Sequence, residues 1–420
     1  MSGSWALLPP ELRLQILKEV SRQKGCGFCA AVCSEWKAFL EPQNFHRLDL
    51  RVSCLEQLGH MTTRTAGLVH QIRLNIELPR YSCRSCQSPT SESRSSRHSA
   101  IFRSATQKLF TVLSAWKPTG CLALELSTFS PSDPEHWFKK YCIGLDIQPD
   151  GESEQQEDPA GWHDPKHGWV DGRQVESLSA SGLSALFEPL CFSLPESLPE
   201  VHVVTRLVIR RECRRQIIPS VLRLLLQKLP WLQTIVYEPW RGTFKSACDR
   251  EFVSMVRDAL PSHVEMLSIF EDPNSELVSA MNRNLWFQPF INDDMGGIPK
   301  LANCFLGEAS LFPQKIKQLE RLILWNSEPG EAYAVTYHRD RSNRRATLTR
   351  HGTWHFELNH EVIESWTNVD PGLVLQTEHE LIQAVVKQRG DAIYHLGLPG
   401  EVIDPISARQ LRQEALLEDW

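Results

Sequence analysis

The chain has 420 residues, 41% of them hydrophobic and 23% charged, the composition of a soluble globular protein of two or three domains. A net charge of -6 argues against a general nucleic-acid binder, which needs surplus lysine and arginine to neutralise phosphate, and no apolar run reaches the ~20 residues that span a bilayer. No basic region of a signal peptide precedes the first apolar stretch, and 12 cysteines without such a signal imply reduced thiols in the cytoplasm or nucleus.

The first predicted elements are two short helices. Pro9 and Pro10 suit a helix entrance, where a missing N–H costs nothing, and Glu11 sits against the positive helix start. Leu8, Leu12, Ile16 and Val20 recur every fourth residue, with Leu17 widening the stripe. Gly25 and Gly27 break this helix. Phe28, Val32, Trp36 and Leu40 form a second stripe, which Pro42 should stop. A module of about forty residues cannot bury both stripes on itself, so one is left for a partner.

The opening Leu8-Pro9-x-Glu11, the Ile16-Leu17 pair and the closing Val32-Cys33-x-x-Trp36 resemble an F-box over Trp5 to Arg51. That resemblance implies a three-helix module that docks on a Skp-type adaptor and, through it, on a cullin. The chain would then be a substrate-receptor subunit of a ubiquitin ligase, without catalytic residues of its own. Leu8, Pro9, Leu12, Ile16, Leu17, Val32 and Trp36 would supply the adaptor contacts and the small core behind them. The Gly25-Cys26-Gly27 connection departs from the family, which more often has an acidic or polar helix start there.

Beyond residue 50 an apolar-x-x-apolar-x-apolar pattern returns: Phe45/Leu48/Leu50, Val69/Ile72/Leu74, Cys121/Leu124/Leu126, Cys142/Leu145/Ile147, Val204/Leu207/Ile209, Leu232/Ile235/Tyr237, Val264/Leu267/Ile269 and Leu319/Leu322/Leu324. Each ends in the period-2 alternation of a strand with one buried face. Helical stretches at Ile101 to Trp116, Val221 to Leu229 and Phe252 to Leu260 lie between them. Strand and helix in alternation define an α/β chain. Residues 51–331 resemble an irregular leucine-rich-repeat array, with a doubly wound α/β domain as the alternative. Tyr81 to His98, crowded with serine, and Pro149 to Pro159, acidic throughout, are expected as disordered insertions.

From Ala332 the style changes. Tyr333 to His338, Ala346 to Thr349 and Thr353 to Leu358 read as strands, Glu361 to Trp366 and Glu378 to Gln388 as helices, Ile393 to Leu398 as a strand, and Ser407 to Leu417 as a helix capped by serine. Residues 332–420 would close the array as an α+β cap. The whole arrangement resembles the large F-box families of filamentous fungi.

Catalytic signatures are missing. His338-Arg339-Asp340 stands without the glycine-rich loop or Asp-Phe-Gly of a kinase and reads as a charged hairpin tip. No nucleophile elbow or phosphate loop occurs, so neither an enzyme nor a cofactor is expected; an α/β enzyme with a fortuitous helical hairpin is the weaker alternative, beside an F-box scaffold outside a ligase. Cys26-x-x-Cys29 and Cys83-x-x-Cys86 have ligand spacing, but lie too far apart for a common four-cysteine site. Cys26, Cys29 and Cys33 share a helical face, and Cys83 and Cys86 have only His98 nearby, so no metal site is assigned. Asp293-Asp294 before Gly296-Gly297 reads as a solvated turn. The densest basic cluster, Arg206, Arg210, Arg211, Arg214 and Arg215, suits an acidic or phosphorylated protein client. Alternation with Leu207 and Ile209 predicts that Arg206 and Arg210 face outward. Neither nucleic acid nor a membrane is expected as a partner.

Overall fold

The computed structural model describes residues 5–417 except 24–25, 62, 118–119, 138, 140–161, 177, 196, 214, 239, 242–254, 256–258, 270–271, 274–302, 304–305, 308, 318, 329, 356, 399 and 401. The insertion at 149–159, the strand expected at Cys142 to Ile147, most of the helix expected at Phe252 to Leu260, Arg214 and the Asp293-Asp294 pair lie outside the described residues.

Two α-helices open the chain, α1 (Pro10–Ser21) and α2 (Ser34–His46), with a 3-10 segment, Cys26–Ala31, between them. The three-helix F-box expected here is therefore not formed. Six residues beside two glycines are too few to nucleate an α-helix in the middle. Nor does Pro42 stop α2. It lies inside the helix, which continues because Leu40 is fully buried and Phe45 packs on the main core.

From α2 the chain runs directly into β1 (Arg47–Arg51), then through α3 (Leu55–Gly59), α4 (Thr63–Ala66), β2 (Gln71–Glu77), α5 (Glu92–Ser114) and β3 (Leu122–Phe129). A small hairpin of β4 (Trp169–Val170) and β5 (Arg173–Gln174) and the helix α6 (Ala180–Leu186) precede β6 (Val204–Ile209), α7 (Pro219–Leu226) and β7 (Thr234–Tyr237). Then come β8 (Trp240–Arg241), β9 (Met266–Ile269) and β10 (Asp272–Pro273). Strands β1, β2, β3, β6, β7 and β9 build one parallel six-stranded sheet in that order, and β8 pairs with β10.

Alternation decides what each face carries. Ile72, Leu74 and Ile76 of β2, Leu124 and Leu126 of β3, Leu207 and Ile209 of β6 and Ile235 of β7 are buried in one cluster with Phe102, Leu109, Phe110 and Leu113 of α5 and Leu222, Leu225 and Leu226 of α7. Each such side chain, removed from water, contributes about 1.5–3 kcal/mol before entropy is counted.

The α/β class holds, but the repeat solenoid does not. The β1–β2 connection holds two short helices, β2–β3 a helix of 23 residues, and β3–β6 a separate hairpin with a helix. These connections share no unit that could stack, and the strands belong to one six-stranded sheet. Tyr81 to His98 is also ordered. Turns lead to Ser91, whose hydroxyl accepts the Arg94 N–H at 3.4 Å and caps α5, while His98 and Ser99 are buried. Serine reads as disorder in composition but serves here as a cap. Ser91→Ala should cost about 1 kcal/mol in denaturant unfolding; a change below a few tenths would remove the cap from the account.

A second sheet follows. β11 (Arg321–Glu328) pairs antiparallel with β12 (Glu331–Asp340), β12 antiparallel with β13 (Arg345–Gly352), and β13 parallel with β14 (Val374–Leu381). It therefore begins at Arg321, ahead of the boundary placed at Ala332 from sequence. Tyr337, Leu348 and the His360–Thr367 helix residue Trp366 share its core. Asp340 closes the β12–β13 turn by accepting from Ser342 and Asn343, while Arg339 is buried and donates to the carbonyls of Lys317 and Pro313 at 2.7 and 3.1 Å. Two expectations exchange. Val374–Leu381 is a strand, held in register by β13, and Arg389–His395 is a helix whose start is fixed by Asp391 accepting the Gln388 N–H at 3.2 Å.

Candidate functional site

Residues 7–32 carry an unusual share of exposed apolar surface. Leu17 is buried at 3% exposure and Leu40 at 0%, which gives the helical pair its own small core. Trp5 and Trp36 pack as a tilted pair with ring centroids 5.3 Å apart, and Glu35 accepts from Trp5 Nε1 at 2.8 Å and from Arg13 at 2.7 Å, tying the entrance of α1 to α2. The other side chains point out. Leu12 and Ile16, one turn apart on α1, are exposed together with Leu7, Phe28 and Val32. Leu8 and Trp36 are half-buried and Pro9 is exposed. The seven residues singled out from sequence thus divide: Leu17 belongs to the core, Leu8 and Trp36 lie at its edge, and Pro9, Leu12, Ile16 and Val32 meet water.

The arginine cluster lies elsewhere than expected. Arg210, Arg211 and Arg215 are buried at 3%, 1% and 3% exposure, and Arg206 is half-buried. Outward on the sheet is not outward to solvent here, because residues 404–410 cover that face. Arg210 donates to Glu125 Oε1 at 2.8 and 2.5 Å and to Glu212 at 3.3 Å, and Arg73 shares the same Glu125 oxygen at 3.0 Å. Arg215 grips both oxygens of Asp133 at 3.1 and 3.2 Å, and Tyr81 donates to Asp133 at 3.0 Å. From across the face, the Ser407 hydroxyl donates to Glu212 at 3.2 Å and the Asp404 N–H to Glu238 at 2.6 Å. Ser407 was expected as a helix cap; Asp404, accepting the Ile406 N–H at 3.0 Å, holds that place in the helix Pro405–Leu417. Arg210, Arg211 and Arg215 are thus buried in internal ion pairs and hydrogen bonds and do not face a client, while Arg214 lies outside the described residues.

The network is rich in acid, with Glu125, Glu212, Glu238 and Asp404 near Arg73, Arg210 and Arg211. Burial, with the charge of Glu212 beside it, pushes the Glu238 carboxyl up to about 8, and burial also raises Asp404. Against the cost of burial, Arg210 holds Glu212 below the ordinary range. One proton on Glu238 therefore balances the charges.

Sequence reasoning missed a third grouping. The ligand atoms of Cys83, Cys86 and His167 all lie within 4.8 Å of one another. The Cys-x-x-Cys spacing was the available signal; the histidine is 84 positions from Cys83, beyond the reach of a local motif. Cys29 and Cys33 make no such group, and Cys33 is exposed rather than on a buried helix face. No helix among the described residues is long and apolar enough to cross a membrane. No curated protein matches the chain. Residues 290–404 are similar to DUF6546, a family of unknown function; the match takes in the second sheet and ends at Asp404, the residue that reaches Glu238 on the first.

Proposed function

We propose that this chain is a receptor subunit that brings a protein client to a cullin-based ubiquitin ligase in the cytoplasm or nucleus, docking on a Skp-type adaptor through residues 7–32. One observation carries the reading: in that segment Leu7, Phe28 and Val32 are 83%, 79% and 65% exposed beside Leu12 and Ile16, while Leu17 and Leu40 keep the helices folded. Large apolar side chains gathered on one small module mark a surface meant to be covered. Their order in sequence is the one that resembles an F-box. The two sheets form the body that holds the client, and the chain acts by proximity, without catalytic residues of its own.

The test is a triple variant, Leu12→Asp, Ile16→Asp and Val32→Asp, expressed in cells with tagged adaptor. All three positions are exposed, so the melting curve should not move, while recovery of adaptor and cullin should fall at least tenfold, about 1.4 kcal/mol. Undiminished recovery would reject the docking surface. Recovery of adaptor with no cullin from the unaltered chain would reject the ligase.

A further inference from the structure

We propose that Cys83, Cys86 and His167 hold a zinc ion. The Cys83 sulfur lies 3.1 Å from Nε2 of His167, and all three ligand atoms fall within 4.8 Å of each other. Sulfur and nitrogen on a shared tetrahedral zinc stand about 3.6 Å apart, so the Cys83–His167 pair would open by roughly half an ångström to take the ion. Two thiolates with imidazole select zinc over calcium or magnesium, which prefer oxygen.

His167 is held ready for this role. Its Nδ1 lies 2.7 Å from Asp164 Oδ2, the carboxylate–histidine pairing that places the proton on Nδ1 and leaves the Nε2 lone pair for a metal. Lys139 stands 3.3 Å from the same Asp164 oxygen. Backbone bonds from the Asp164 N–H to the Trp169 carbonyl at 2.7 Å and from the Trp169 N–H back to Asp164 at 3.0 Å close the loop that presents the ring. Gly168, at φ 73°, follows directly, and a Cβ there would come within 2.4 Å of the Glu176 carbonyl oxygen.

The His136 ring stands beside that of His167, with centroids 4.8 Å apart, but its nitrogens are not among the ligand atoms that converge within 4.8 Å. His163 stands four positions before His167, a familiar zinc step, but its exposed ring pairs with Asp171 at 3.1 Å.

The neighbourhood has a use for such a cross-link. Segments around residues 83, 136 and 167 meet beside a cluster that, among the described residues, holds Trp137, Leu178, Leu183, Leu186 and Phe187, with Cys86 against it. A core that small is normally supplemented by a metal or a disulfide.

The full chain, purified under reducing conditions without chelator, should carry one equivalent of zinc by elemental analysis. Cobalt added alone to zinc-stripped chain should give thiolate charge-transfer and tetrahedral d–d absorption, lost in Cys83→Ser and Cys86→Ser. Since ligand variants can misfold, Asp164→Asn decides independently: it keeps every ligand and should bind zinc about 10–100-fold more weakly in chelator competition. Absence of both zinc and cobalt bands, or Asp164→Asn affinity equal to the unaltered chain, would overturn the site.

Discussion

Arg210→Ala should lower the unfolding free energy by about 3–5 kcal/mol, the largest single-residue effect expected anywhere in the first sheet. The guanidinium is 3% exposed and bonds Glu125 and Glu212. Its loss leaves Glu212 with the Ser407 hydroxyl and Glu125 with Arg73, two carboxylates in low dielectric with one cation fewer. The penalty comes from those stranded acids more than from the bonds lost. Arg210→Met, which fills the space and also strands them, should be nearly as damaging. Urea midpoints at pH 7 that shift by less than the equivalent of about 1 kcal/mol in both variants would mean that water reaches the network.

The second large effect is a pH dependence. Glu238 is pushed from 4.5 up to about 8 by burial and by Glu212, so the folded chain keeps a proton that the unfolded chain releases. The stability this gives is full below pH 4.5, declines as pH rises, and is gone above about 8. The slope approaches about 1.4 kcal/mol per pH unit between those limits. Asp404, also raised, adds in the same direction, whereas Glu212, lowered, opposes it. Glu238→Gln isolates the group: it loses an acceptor for the Arg211 or Asp404 N–H at every pH, but its stability should fall less from pH 5.5 to 7.5, by about 2–3 kcal/mol. Parallel curves for the two chains would show that Glu238 is already ionised in the fold.

The strands were legible where a single apolar face repeats. Leu48, Ile72, Leu124, Leu207, Ile235, Leu267 and Leu322, the middle residues of seven of the eight recurring triplets, all fall in strands, and the eighth, Leu145, lies outside the described residues. What alternation cannot reveal is the fate of the opposite face. Arg73, Glu125 and Arg210 look like side chains for water, yet they are buried, and Asp404 and Ser407, far along the chain, reach across to Glu238 and Glu212 on that side. The arginine cluster was misplaced for that reason, and the same blindness to distant covering made the sheet look like an open array. Between Glu378 and Leu398 local propensity was overridden by pairing with β13 and by Asp391 at a helix start. For the site residues, sequence named Leu12, Ile16, Leu17 and Val32 together as contacts and supporting core, but not that Leu17 is buried and the other three exposed. It identified Cys83 and Cys86 without their histidine, because ligands from separate segments meet only in the folded chain.

The cover over the charged face has a consequence for synthesis. Glu212 and Ser407, which meet in the finished fold, stand 195 positions apart. A ribosome that has delivered the strand pairing of β6 and β7 has yet to deliver the residues that shut water out from behind them. The emerging sheet can dock α5 and α7 at once, leaving its other side wet. Because that side carries arginine and glutamate instead of leucine, the half-made sheet shows solvent a hydrated, mixed-charge surface rather than an apolar one prone to aggregation. Closing so long a loop is slow, and a waiting face of this chemistry tolerates the delay.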